Sequence, residues 1–342
     1  MSRFGSQEKN RDIMKHMTKI VIFSLCAALT MSACNKNVIT PDEDNQRVPL
    51  SFTALSQIPT KATTPLTTDF GVWGIARKAD HQDYILWPGN TLNQVTGSGS
   101  NYTPAADAYW LVGYKYNFIA VAPYTDGVSG LEMRTSQVSS EDALTFTFDQ
   151  GAKYTSSDYD FDLLGAVAEN EEYTKSDPST QTLTFWHLFA KIIINVNFVN
   201  ADGTAAGADT YNVSEIRLCN VGSKADYTIY GVGDDINVSC STPTETKNLT
   251  FSNSATNNVL HLIPQDITDF ELYIDFVRDG VAFDDFKAAL SFGGKNPSVY
   301  NYNEVYNWNI TIGPKNAISF KVEVAPWGEV DVNDPDTPIE II

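Results

Sequence analysis

Cysteine and histidine are scarce: the 342-residue chain holds four of each. That excludes a disulfide-dense scaffold and leaves few ligands for a zinc centre. There is no paired CxxC, no phosphate-binding Gly-rich loop with its Lys, no nucleophile elbow and no zincin helix. No apolar run reaches the ~20 residues of a membrane-spanning helix. Helical periodicity is weak throughout, which argues against a helical core. Positive charge is also short, with 23 Lys+Arg against 42 Asp+Glu and a formal net charge of −19. A chain this acidic, without a basic run, is a poor ligand for phosphate backbones. These absences point away from an enzyme and from nucleic acid, and they imply no cofactor or metal.

What is present begins with an export signal. Lys15 and Lys19 precede the apolar run Ile20–Ala28, and small residues follow, the order of a secretory signal peptide. The segment Leu29-Thr30-Met31-Ser32-Ala33-Cys34 resembles the lipobox of bacterial lipoproteins. It implies cleavage between Ala33 and Cys34, acylation of Cys34 and anchoring at the outer membrane, each buried methylene contributing ~0.8 kcal/mol. Glu8 and Asp12 sit badly in such a signal, so Met14 or Met17 is the expected start of synthesis. Residues 1–33 hold five basic and two acidic side chains, so their loss takes the net charge from −19 to −22. Residues 34–47 are polar, with Asp42, Glu43 and Asp44 together, and form a tether.

Beyond the tether, short runs of Val, Ile, Thr, Tyr and Phe alternate with Gly, Asn, Asp and Pro, a strand-and-turn pattern. One set of expected strands is Val48–Leu55, Phe70–Arg77, Tyr116–Pro123, Leu144–Asp149 and Phe161–Ala168. A second is Leu183–Phe198, Glu215–Cys219, Asn258–Ile263, Glu271–Arg278, Trp308–Ile312 and Ile318–Val324. The polar stretch Thr174–Gln181 separates them. The expected fold is all-β, with one sandwich domain over 48–178 and a second over 179–342. After export only Cys219 and Cys240 remain free to pair; they are either a disulfide or two buried thiols.

The remaining motifs favour structure over chemistry. Phe185, His187 and Phe189 share one face of a strand by their spacing, so His187 is expected to be a hydrogen-bonded core residue, as is His261. Asp158, Asp160, Asp162 and Glu169 match a calcium loop in spacing, but Leu163 stands where that loop needs Gly. The six tryptophans could stack on sugars if exposed, which would make the chain a glycan-binding surface lipoprotein; in a sandwich they belong to the core.

Several local patterns, in order, carry a resemblance. They are Val48-Pro49-Leu50-Ser51-Phe52, Thr60-Lys61-Ala62-Thr63, Phe70-Gly71-Val72-Trp73, Tyr116–Tyr124, Asp162–Ala166, Leu183–Lys191, Tyr306–Ile312 and Val324-Ala325-Pro326-Trp327. With the lipobox, the chain resembles the fimbrillins of the Bacteroidetes, which build pili from lipoprotein precursors. The resemblance implies two tandem transthyretin-like β-domains, a structural role as stalk, tip or anchor subunit, and other fimbrial subunits as partners. A host or glycan receptor is a further implied partner. It also implies activation by an extracellular trypsin-like protease that cuts after a basic residue behind the first strand. The freed groove then takes a strand from another subunit. Lys61, followed by Ala62, matches that basic position. Pro338–Ile342 or Ile318–Val324 is the matching donor.

Overall fold

The computed structural model describes residues 48–327 except 59–60, 88–91, 100, 125–141, 151–160, 173–179, 208–210, 233–234, 252–257 and 294–295. The signal peptide, Cys34, the tether, Asp158, Asp160 and Pro338–Ile342 lie outside the described residues. Nearly all regular structure is strand. The first half holds β1 (Val48–Pro49), β2 (Ser51–Ile58), β3 (Lys61–Pro65), β4 (Phe70–Arg77), β5 (Tyr84–Ile85), β6 (Asn93–Ser98), β7 (Asn101–Pro104), β8 (Tyr109–Trp110), β9 (Lys115–Ala122), β10 (Ala143–Asp149) and β11 (Leu164–Glu172). Next come β12 (Thr180–His187), β13 (Ala190–Phe198), β14 (Tyr211–Val232), β15 (Asp235–Cys240), β16 (Glu245–Phe251) and β17 (Asn258–Leu262). The chain closes with β18 (Gln265–Asp266), β19 (Glu271–Arg278), β20 (Val281–Ala288), β21 (Val299–Tyr300), β22 (Glu304–Ile312) and β23 (Ile318–Pro326).

A nine-stranded sheet runs β12-β11-β9-β4-β6-β7-β2-β3 with β5 beside β4, and β2 pairs again with β12. The sheet therefore curls on itself and encloses Phe52, Phe70, Tyr102, Tyr116, Phe118 and Phe185, all fully buried. Its other face is covered too. Trp73, Ile75, Ile119 and Val121 pack against Leu144, Phe146 and Phe148 of β10 and Ala225, Tyr227 and Ile229 of β14. Burial on both faces explains why Phe70–Ala76 reads as an unbroken apolar run rather than an alternating one. It also explains Gly74, where a Cβ would come within 2.7 Å of Leu86 and 2.9 Å of Phe118.

Another core lies between β13, β17, β22 and β23 on one side and β14, β16, β19 and β20 on the other, with Trp308 at its centre. Strand β14, 22 residues long, serves both cores. Val213, Ile216, Leu218 and Val221 enter this second core, while Ala225, Tyr227 and Ile229 enter the first. The register of β14 slips beside Asn220, which has φ 65, and this bends the strand from one layer into the next.

The segment expected as one strand, Leu183–Phe198, is two. β12 ends at His187 and β13 begins at Ala190, in a different sheet. At the corner, the backbone N–H of Leu188 donates to the Leu163 carbonyl at 2.7 Å. Phe185 thus meets Phe70 at 5.2 Å inside the curled sheet, and Phe189 meets Phe148 at 5.6 Å in the adjoining core. The one-face expectation for Phe185, His187 and Phe189 gives way to that corner.

Candidate strand-exchange seam

The seam is β2 itself. Leu50, Phe52 and Ala54 point inward and are buried, while Ser51 and Thr53 are only half-buried. This is the alternation of a strand with one apolar face. On one edge β2 runs parallel to β12 through six consecutive pairs, from Ser51↔Thr180 to Ser56↔Phe185. The hydroxyls of Ser51 and Thr180 share a hydrogen bond at 2.8 Å. On its other edge β2 meets β7 at the single pair Phe52↔Tyr102, and then β3. Removing β2 would part β7 from β12 and open the curled sheet.

The Phe52 ring stands edge-on to Phe70 at 5.9 Å and to Phe118 at 5.4 Å. Leu50 donates its N–H to Ala108 O at 2.9 Å, and Leu66 donates to Ala54 O at 3.0 Å. Nearby, the Tyr102 hydroxyl donates to the Leu66 carbonyl. Burial raises the Tyr116 phenol well above its ordinary range, so it stays protonated and donates to Tyr109 O at 3.3 Å. Among the described residues no acid, base or nucleophile is aimed into this space; their chemistry there is apolar packing and backbone pairing.

Lys61 and Ala62 begin β3, whose backbone runs antiparallel to β2 with Ile58↔Lys61, Ser56↔Thr64 and Leu55↔Pro65. Sequence reasoning set these residues beyond the strand; here they form the return arm of a hairpin with it.

A family model described as fimbrillin-like matches residues 60–327. The chain belongs to the fimbrillin-like family. Two solved structures share its fold. A candidate cell adhesion protein from Bacteroides uniformis is 20% identical, with 84% of this chain and 100% of that one covered and a TM-score of 0.52. A fimbrial protein from Bacteroides vulgatus is 16% identical, with 82% and 100% covered and a TM-score of 0.53. No curated protein matches the sequence. The fimbrillin family is structural rather than enzymatic, in keeping with the absent catalytic motifs.

Of the other residues singled out in this fimbrillin, His187, Asp162 and His261 gather around Trp327, while Cys219 and Cys240 lie apart from them. His187 Nδ1 pairs with Asp162 Oδ2 at 2.5 Å, and its ring stacks on Trp327 at 4.0 Å. His261 lies 4.8 Å from the same indole, and Lys191 Nζ lies 5.5 Å from it. Burial holds the His261 imidazole and the Lys191 ammonium below their ordinary ranges. Among the described residues no group of His, Cys, Asp or Glu could hold a metal. Cys219 and Cys240 are free thiols, so the disulfide reading is corrected. Cys240 pairs with Tyr227, eight residues along β14 from Cys219, or ~26 Å in an extended strand, far beyond the roughly 7 Å limit between bridged Cα atoms. Burial pushes the Cys240 thiol up to about 12, which keeps it unreactive.

Sequence reasoning missed the side-chain amides that fasten the sheets together. Gln150, fully buried, donates to His261 O and accepts from Ile263 N at 3.2 Å. Gln265 accepts from Gly222 N at 2.7 Å and donates to Ile263 O at 2.8 Å. Arg77 forks onto the buried Asp142 carboxylate, which also accepts from Asn117 at 2.8 Å. Gln150 continues the inward alternation of Phe146 and Phe148, and a polar residue at an inward position is the available sequence signal; its partners are more than a hundred residues away.

Proposed function

We propose that this chain is a structural subunit of a cell-surface fimbria, exported as a lipoprotein anchored through Cys34 and assembled by replacement of β2. Family membership supports the fimbrial role. The observation that carries the assembly step is that β2 closes the curled sheet between β7 and β12 with Leu50, Phe52 and Ala54 buried. Cleavage after Lys61 would free the covalent link between β2 and the rest of the fold and sever the acylated Cys34 at once. An incoming extended strand with the same alternation would refill the slot, regaining ~25 cal/mol for each Å² of apolar surface covered along with its backbone hydrogen bonds. Other fimbrial subunits are the partners. The tryptophans do not favour the glycan-binding alternative: five are buried and Trp186 is half-buried.

The test is mild trypsin treatment of the folded protein, followed by N-terminal sequencing and gel analysis for SDS-resistant ladders. A new terminus at Ala62 with ladders is expected, and Lys61→Ala should abolish both. A Lys61→Ala chain cut and polymerised like the parent would refute the assignment. Cys34→Ala should lose radiolabelled fatty acid; equal label in mutant and parent would remove lipidation from the scheme.

A further inference from the structure

Among the described residues, no strand pairs with the side of β23 that faces away from β22. Its ladder with β22 is unbroken through nine pairs, from Ile312↔Ile318 to Glu304↔Pro326. A long regular edge is a template for another chain. The edge strand β20 is different: Asp284 and Asp285 bulge opposite Asp275, with Asp285 at φ 53, which blunts that edge.

Among the described residues, the side chain of Asn296 occupies the β23 edge. Asn296 Oδ1 accepts from Val322 N at 3.0 Å, and its Nδ2 donates to Phe320 O at 3.4 Å and to Ser291 O at 2.9 Å. The amide stands where a peptide group of a neighbouring strand would stand. Both backbone groups belong to even-numbered residues, so the even residues of β23 turn their N–H and C=O outward. An antiparallel partner must therefore align with that phase.

For a second copy of β23 related by a two-fold axis, even residues must face even residues, which allows an axis at an even or an odd residue. At Lys321 or Glu323 the axis sets like charges face to face, and at Ser319 it sets Lys321 against Ala317. An axis at Phe320 sets Lys321 against Ser319, and one at Val324 sets Glu323 against Ala325. An axis at Val322 sets Lys321 opposite Glu323 of the second copy, twice. Those pairs fall at non-hydrogen-bonded positions, where facing side chains come closest. On the other face, Val324, 45% exposed, meets Phe320 of the second copy. The ladder ends at Pro326, which has no N–H to offer.

We propose that the β23 edge is a self-pairing surface for a second copy of this chain, closed in the lone subunit by Asn296. Pairing replaces the two edge hydrogen bonds of Asn296 with backbone bonds from Val322 and Val324 of the second copy, and adds the rest of the ladder. A two-fold contact stops at two copies. Beside a head-to-tail seam it would join two fimbriae laterally. It does not rest on exchange of β2.

The test uses the mature chain carrying Cys34→Ser and Lys61→Ala, so that neither lipid nor the seam contributes, in sedimentation velocity over a concentration series. The parent should dimerise weakly. Asn296→Ala should tighten the dimer about tenfold by removing a competitor with two hydrogen bonds. Lys321→Glu in that background should abolish the dimer, and adding Glu323→Lys should restore it. An Asn296→Ala chain that stays monomeric, or a dimer indifferent to these charges, overturns the proposal. Should Asn296→Ala misfold, Ser319→Cys with Ala325→Cys, in a chain with Cys219 and Cys240 replaced by Ser, decides the matter with Asn296 intact. A covalent dimer under oxidation supports the two-fold register, and its absence overturns it.

Discussion

The β2 seam and the junction between the two cores are built from opposite materials. At the seam, the buried Leu50, Phe52 and Ala54 face a core rich in aromatic rings, and the polar bonds of β2 include its backbone pairings and the half-buried Ser51–Thr180 pair. At the junction, Gln150 and Gln265 bind specific partners out of water, and the part-buried pairs Arg77–Asp142 and His187–Asp162 add charged contacts. A strand held by apolar contacts and backbone bonds can be exchanged for any strand of the same alternation. A junction held by buried amides and ion pairs cannot come apart without orphaning polar groups, each at about 1–3 kcal/mol. Under the proposed assembly, exchange belongs to the seam and permanence to the junction.

The largest expected effect is at the seam. Phe52→Ala should destabilise the uncut protein by about 3–5 kcal/mol, as should Phe185→Ala across the same core. Denaturant melts of cut and uncut material sharpen the comparison: after β2 is lost, the Phe52 substitution has nothing left to cost, while that of Phe185 keeps its effect. A Phe52→Ala chain as stable as the parent would show that β2 does not hold the seam. Next in size, Gln150→Ala and Gln265→Ala should each cost about 1–3 kcal/mol by leaving buried backbone groups unpaired. Hydrogen exchange at Ile263 and Gly222 should rise in step, and unchanged exchange would deny the amides their role.

A pH profile distinguishes the regions further. Burial lowers the folded-state pKa of His261, while the unfolded chain takes up its proton near about pH 6.5. The unfolded state then binds more protons, so stability at the junction is lost as pH falls below that value toward the folded pKa. Trp327 fluorescence should report loosening on acidification, and His261→Gln should flatten the profile; an identical profile in the variant would reject this origin. The smallest effect belongs to neither region. Arg217→Ala, on the outer face with Glu215 and Asp285, should move stability by no more than about 1 kcal/mol.

Much of the seam was legible before the fold. Leu50, Phe52 and Ala54 alternate with polar neighbours, and β4 and β19 have the bounds their apolar runs suggest. Strand β14 was not, because Asn220, Gly222, Ser223 and Asp226 look like turn residues. They are tolerated because bulges and a change of layer absorb them. The corner at Leu188-Phe189 was hidden for the opposite reason: both residues are buried and apolar, and no Gly or Pro marks the bend.

By itself the sequence determined what local chemistry can encode: an acidic β-rich chain, a first strand with one apolar face, and, as an expectation, an export signal ending in Ser32-Ala33-Cys34. The rest was decided in three dimensions. That β2 lies parallel to β12 and seals a sheet, that Cys219 on β14 and Cys240 on β15 stand apart, and that Asn296 covers the edge at Val322 all depend on pairings between distant residues. Period and composition specify which face of a strand is buried, because that follows from alternation within the strand. They do not specify which strand becomes its neighbour, because every backbone offers the same donors and acceptors, and only the packed core selects among them.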